Sequence, residues 1–333
     1  MATPTALAPG PAPEGSVPAS LDPDARPPRH RRAPSPKTVL AVSSLGVFVA
    51  FVDATIVNIA FPDMARSFPD TSISGLSWVL NAYNIVFAAF LVAAGRLADL
   101  LGRRRVYLLG LAIFTLASAL CAVAPSAATL VAFRVLQALG AALLVPASMS
   151  LVLEAFSADH RAHAVALITA VGAAAAGIGP ALGGLLVSAS SWRLVFLVNV
   201  PIGIGAYVLA RRHLVESRAP GRRRVPDLLG ALLFALSISA LVLGVVKGQD
   251  WGWGSPATLG CFAAAVALGV LVVRRSGWHR SPVLDLGLRR ERTFGAANAM
   301  TVVAAAGFYG YTLCNVLFLT GVWRYSVLEA GLA

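Results

Sequence analysis

The sequence predicts an all-α polytopic membrane protein, and three observations carry that assignment. Of the 333 residues, 57% are hydrophobic and only 13% are charged, with a mean hydropathy of +0.76; a soluble domain carries about 25% charged residues. The apolar residues come in continuous blocks of about 20, the length a helix needs to cross ~30 Å of hydrocarbon. The basic residues gather in alternate gaps between those blocks. Backbone groups in lipid must be satisfied within their own segment, so blocks this long are helices; a β-barrel would need short alternating strands.

The chain opens on a Pro/Arg-rich tail, residues 1–37, whose first 36 positions hold ten of the twenty prolines. Beyond alanine it has few apolar residues, too few to offset its ordering entropy, so disorder is expected there. It lacks the continuous apolar core of a cleavable signal peptide. Nine spans follow, at about 38–61, 76–98, 106–124, 128–150, 163–187, 194–210, 228–246, 257–273 and 294–321, each near the bilayer-crossing length.

The loops then set the orientation. With the tail inside, cytoplasmic segments hold 21 Lys and Arg, while outer loops hold only Arg66, Arg193, Lys247 and Arg324. That asymmetry places the N-terminus in the cytoplasm of a cell-membrane protein. It also disposes of nucleic acid as the meaning of the +12 net charge, because the clusters at 103–105 and 222–224 are topological determinants facing anionic lipid. Cys121, Cys261 and Cys314 lie inside apolar spans without paired spacing and read as small packing residues. The five histidines fall in the tail or in basic loops with no zinc-type spacing, so no metal is expected.

Ionisable groups within spans are costly and mark function by default. Asp53, in Phe51-Val52-Asp53-Ala54-Thr55, is the one carboxylate well inside any predicted span, and Arg134 is the one cation comparably deep. At 1.5 Å per residue both lie roughly 21 Å from the inner membrane face, so the lone acid and the lone base share a level. Two roles are open to them: a static ion pair that fixes helix packing, or a carboxylate whose proton is held or released as burial is balanced against the arginine. In span five, Gly172 is followed by Gly177-Ile178-Gly179-Pro180-Ala181-Leu182-Gly183-Gly184. Small residues at this spacing permit close helix approach, and Pro180 removes a backbone donor. That fits tight packing, a hinge, or a seal against ion leak. Between spans two and three, Gly95-Arg96-Leu97-Ala98-Asp99-Leu100-Leu101-Gly102-Arg103-Arg104-Arg105 puts a carboxylate within reach of Arg103 across a glycine turn. A charge pair at such a helix junction can latch one conformation.

These motifs, in this order, resemble the N-terminal half of a major facilitator superfamily transporter, and in particular its fourteen-helix drug:proton antiporter branch. The stretch Trp192-Arg193-Leu194-Val195-Phe196-Leu197-Val198-Asn199-Val200-Pro201-Ile202-Gly203 is similar to that branch as well. The resemblance implies an N-terminal six-helix bundle over 38–212, a basic loop and two extra helices over 213–280, and the start of a second bundle over 281–333, with five helices beyond the point where the chain stops. It implies proton coupling at Asp53 and Arg134, an inter-domain latch at Gly95, Asp99, Gly102 and Arg103, and an antiporter helix built on Gly177, Gly179, Pro180, Gly183 and Gly184. Asn58, Asn81, Asn84 and Gln137 are candidate substrate contacts. Leu100 stands where the family carries a basic residue, and Asn81 and Asn84 add amide polarity to span two.

The expected activity is therefore export of amphipathic small molecules against protons, with the proton gradient as driving force and no cofactor, rather than an enzymatic reaction. No Gly-x-x-x-x-Gly-Lys loop occurs to serve ATP. The partners are the substrate, protons and the bilayer; nothing in the sequence specifies an oligomeric state. The same fold also fits an exporter of an endogenous metabolite, or a truncated fragment without activity, since one bundle plus three helices gives the transport cavity a single wall.

Overall fold

The computed structural model describes residues 34–217, 227–279, 282–284, 286–287 and 291–323. The expected disorder of the tail up to residue 33, the arginine cluster 222–224 and the lead-in to a tenth span at 326–333 lie outside the described residues. Every regular element among those described is helical: α1 (Pro36–Ser67), α2 (Ile73–Leu76), α3 (Trp78–Leu101), α4 (Arg103–Ala122), α5 (Ala127–Ala155), one 3-10 turn (Ala158–His160), α6 (Arg161–Ala189), α7 (Leu194–Leu197), α8 (Asn199–His213), α9 (Leu228–Trp251), α10 (Pro256–Trp278) and α11 (Arg292–Gly321). Eight of the expected spans are helices long and apolar enough to cross a membrane, and α11 covers the position of the ninth. The helices overrun the apolar blocks by several residues; α1 extends to Ser67 past Pro62.

Short-range chemistry explains where they begin. Ser35 Oγ accepts the Thr38 N–H at 3.2 Å, and Pro36 takes the first helical position, where a missing N–H costs nothing. Ser126 and Thr129 cap α5 reciprocally. Asp227 accepts the Gly230 N–H at 2.8 Å to start α9, and its two oxygens also take Arg275 Nε of α10 at 2.8 and 2.9 Å. Burial works to raise the Asp227 carboxyl, but the Gly230 N–H and the Arg275 guanidinium outweigh it and hold it below the ordinary range. A carboxyl that titrates lower in the folded chain than in the unfolded one contributes stability that is whole above about pH 4 and is lost as pH falls further. Asp227→Asn keeps the cap but loses the charge pair with Arg275, so it should cost up to about 1 kcal/mol at pH 7 and progressively less as pH falls below about 4. Thermal unfolding of both proteins across that range measures it.

Close approaches place the helices. On α6, Gly172 faces Val47 and Gly179 and Gly183 face Thr55 and Ile56 of α1; on α4 and α5, Gly110 and Gly140 let the two backbones nearly touch. Tyr107 of α4 drives its hydroxyl into α1, donating to the Val42 carbonyl at 2.7 Å and accepting the Gly46 N–H at 3.1 Å. At the C-terminal end of α1, Trp192 donates its N–H to Asp63 and its indole Nε1–H to Ser67, locking the α6–α7 turn onto α1. Among the described residues three buried apolar clusters fill the bundle, one around Tyr107, Phe114 and Leu144, another around Ile56, Leu130 and Trp192, and a smaller one of Val47, Val152, Ala164 and Ile168.

Candidate functional site

Asp53 is fully buried and Arg134 is 1% exposed, and the two meet: Arg134 Nη1 donates to Asp53 Oδ2 at 2.5 Å. The carboxylate's other oxygen accepts Gln137 Nε2 at 2.8 Å and Asn199 Nδ2 at 2.9 Å. Gln137, one turn after Arg134 on α5, also donates to Ser118 Oγ of α4 at 2.7 Å and takes Arg134 Nη1 on its Oε1 at 2.7 Å. Arg134 Nε caps the Val79 carbonyl of α3 at 3.1 Å, and its guanidinium lies over the Tyr83 ring, 4.0 Å from the centroid. Tyr83 is anchored in turn, its hydroxyl donating to the Ala50 carbonyl at 3.3 Å.

The carboxylate of α1 thus bonds α5 and α8 directly, and through Arg134 and Gln137 the network extends to α3 and α4. Three N–H donors on Asp53 and an aromatic face under the cation are what a charge pair needs to survive away from water. Among the described residues Asn199 Oδ1 has no hydrogen-bond partner, and such a buried acceptor carries the desolvation penalty of the group.

The sequence reading put the acid and the base at one depth, and the structure brings them into contact. Asn199, Ser118 and Tyr83 are neighbours of the pair that the sequence did not single out. Asn199 had a signal, a lone amide in span six within the Trp192–Gly203 stretch; Ser118 and Tyr83 had none. Gln137 lies inside the charge network with both ends of its amide engaged. Asn58 and Asn84 are exposed, and Asn81 is half-buried. Asn58 Nδ2 turns back to the Ala54 and Thr55 carbonyls, and Asn81 Nδ2 lies 3.4 Å from Ser77 Oγ. None of these three asparagines joins the Asp53 cluster.

On α6, Gly179 and Gly183 form the seam with α1, whereas Gly177 faces open space and Gly184 is half-buried. The helix runs unbroken through Pro180. Beside the seam an apolar cleft of about 240 Å³ opens between Val47 and Phe51 of α1, Val145 and Met149 of α5, and Ile168 and Thr169 of α6.

The α3–α4 elbow lies apart from that network. Gly102 sits at φ +113°, a left-handed conformation that glycine alone adopts without strain. Arg103 reaches back to Asp99 at 3.2 Å and across to Glu154 at the end of α5 at 2.6 Å, a carboxylate that the motif did not reveal. Gly95 packs against Pro146, and Arg96 donates Nη2 to the Pro282 carbonyl at 3.0 Å.

These elements make a multi-pass helical bundle with a sealed charge pair and an arginine-rich elbow. The chain belongs to the Major Facilitator Superfamily, which it matches over residues 43–332. It is 38% identical over 296 residues to the methylenomycin A resistance protein of Bacillus subtilis, covering 88% of this chain and 63% of that protein. It is 40% identical over 297 residues to the multidrug resistance protein Stp of Mycobacterium tuberculosis, covering 88% and 54%. To the tetracenomycin C resistance and export protein of Streptomyces glaucescens it is 34% identical over 294 residues, covering 88% and 54%. The chain thus spans a little over half the length of these relatives. A solved peptide transporter POT in complex with sulfate shares the fold, with a TM-score of 0.53 at 16% identity, over 77% of this chain and 54% of that one.

Proposed function

We propose that this chain acts in proton-coupled export of drugs or other amphipathic small molecules, oriented with its N-terminus in the cytoplasm of a cell membrane. The observation that carries the proposal is the buried Asp53–Arg134 pair, which places a protonatable group in a network that joins five helices. A proton delivered to Asp53 neutralises the carboxylate and removes its charge attraction for Arg134. The guanidinium keeps Gln137 Oε1, the Val79 carbonyl and the Tyr83 ring, so it stays seated on α5 and α3 while α1 is freed.

Cargo acts on the same helix. The apolar cleft is lined by Val47 and Phe51, the latter two residues from Asp53, so an occupant presses on the helix that carries the carboxylate. Its walls suit a flat apolar body, and no carboxylate lines it. Proton and cargo thereby compete for the position of one helix, which is the requirement for exchange of one against the other. The relatives named for resistance to methylenomycin A, tetracenomycin C and multiple drugs support this class of cargo. The basic residues that gather on one side of the spans support the orientation.

Proteoliposomes holding residues 1–333, loaded with an imposed pH gradient and the dye Hoechst 33342, test the reading. Dye accumulation should follow the gradient and fall at least tenfold in Asp53→Asn. Equal dye flux in Asp53→Asn and the parent would overturn proton coupling at this site.

A further inference from the structure

We infer that Glu216 is a positioning residue: it seats the segment that leaves the six-helix bundle on the start of α4, and this seat holds the Arg103 latch in place. The first N–H groups of a helix have no partner inside it. At α4 the capping position is Gly102, which has no side chain to offer. The donors are met instead from more than a hundred residues away. Glu216 Oε1 accepts the Arg104 N–H and Oε2 accepts the Arg105 N–H, each at 3.2 Å, and the Ser217 carbonyl accepts the Arg103 N–H at 3.0 Å.

The seat is reinforced on both sides. Glu216 Oε1 also takes the Ser217 N–H at 3.1 Å, which fixes the carboxylate's own loop. Arg105 Nε lies 3.6 Å from Oε2, and Arg104 Nη2 donates to the Arg211 carbonyl at the end of α8 at 2.9 Å. Leu214, two residues before the glutamate, is buried in the same apolar cluster as Val106 and Tyr107 of α4. A carboxylate here also meets the positive end of the helix dipole.

Gly102 acquires a second reason to be glycine. A Cβ at that position would collide with the Glu216 carboxylate as well as strain the backbone. The turn is shaped around an acidic side chain supplied from elsewhere in the chain.

The consequence falls on Arg103, whose N–H is held by Ser217 while its guanidinium holds Asp99 and Glu154. Releasing Glu216 and Ser217 frees the first turn of α4, and with it the root of both ion pairs. Since Arg96 binds the Pro282 carbonyl, the elbow grips both connecting segments, the one after α8 and the one before α11. Movement of either is transmitted to the latch. This last step rests on the transport reading above; the seat itself does not.

Hydrogen–deuterium exchange on the full chain in lipid nanodiscs separates the two. In Glu216→Ala the amides of Arg103, Arg104 and Arg105 should exchange at least tenfold faster, while those around Arg134 keep their protection and show that the bundle is folded. Glu216→Gln, which retains one acceptor oxygen, should fall between. Asp99→Asn, which breaks the latch pair without touching the seat, should leave those amides as they were. Parent-like exchange in Glu216→Ala would overturn the seat. In the Hoechst 33342 assay Glu216→Ala should lower the maximal rate at least fivefold at unchanged half-saturation; an unchanged rate together with lost protection would overturn the positioning role. Lost protection alongside parent-like flux in Asp53→Asn would leave the seat standing and remove the proton reading alone.

Discussion

Arg134→Ala should destabilise the protein by about 3–5 kcal/mol, because it strands the Asp53 carboxylate in a site with no exposure to water. Two amide donors, from Gln137 and Asn199, would remain on the acid, and neither supplies charge. Asp53→Asn should cost less. The guanidinium it leaves behind keeps Gln137, the Val79 carbonyl and the Tyr83 ring, so the unpaired cation is the better accommodated of the two partners. The double variant Asp53→Asn with Arg134→Gln removes both charges and should recover about 2 kcal/mol of the loss, the coupling expected of residues in contact. Thermal unfolding in detergent, followed by intrinsic tryptophan fluorescence, measures all four proteins.

The double variant also decides between the two roles the sequence left open for this pair. A static ion pair predicts that dye flux returns with stability. A coupling site predicts a stable protein that no longer exchanges protons for cargo, because the titrating group itself is gone. Restored flux would make the pair a packing device, and the protonatable group would have to be sought elsewhere.

Much of this was legible from the chain because membranes enforce long, uniform signals. Block length and loop charge located the helices, and the rarity of buried charge singled out Asp53 and Arg134. What stayed hidden was partner choice. Asn199 lies 146 residues from Asp53 in sequence and Glu216 lies 112 from Arg104, and no periodicity connects residues so far apart. Glu216 was further masked by its surroundings, one acid among arginines that already had a topological explanation. Glycines misled in the opposite direction. Gly177 and Gly179 are two residues apart in one motif, yet a helix turns about 200° over that distance, so only Gly179 faces α1.

That difference sets up a graded test. Gly140→Ala should be the most damaging of three conservative changes, because the new methyl would lie 2.6 Å from the Phe114 backbone nitrogen and 2.9 Å from its Cα. Backbone atoms of a packed helix cannot rotate aside, so α4 must move off α5, and Ser118, one turn along from Phe114, moves with it. Overpacking of this kind costs about 1–3 kcal/mol, and here it also pulls Ser118 from Gln137 and loosens the Asp53 network. Gly179→Ala meets the Thr55 hydroxyl first, whose bonds to the Phe51 and Val52 carbonyls can be given up by rotation, and then Thr55 Cβ at 3.1 Å and the Ile56 backbone nitrogen at 3.2 Å, which must yield only a few tenths of an ångström. Its cost should be about 1 kcal/mol, offset in part by the helix propensity gained on replacing glycine. Gly177→Ala meets nothing within 4 Å and should be neutral or slightly stabilising. The order Gly140, Gly179, Gly177 in unfolding midpoint is the expected result, with loss of dye flux greatest in Gly140→Ala. If Gly177→Ala proved as harmful as Gly140→Ala, close packing of α1 on α6 and of α4 on α5 would not be what these glycines are for.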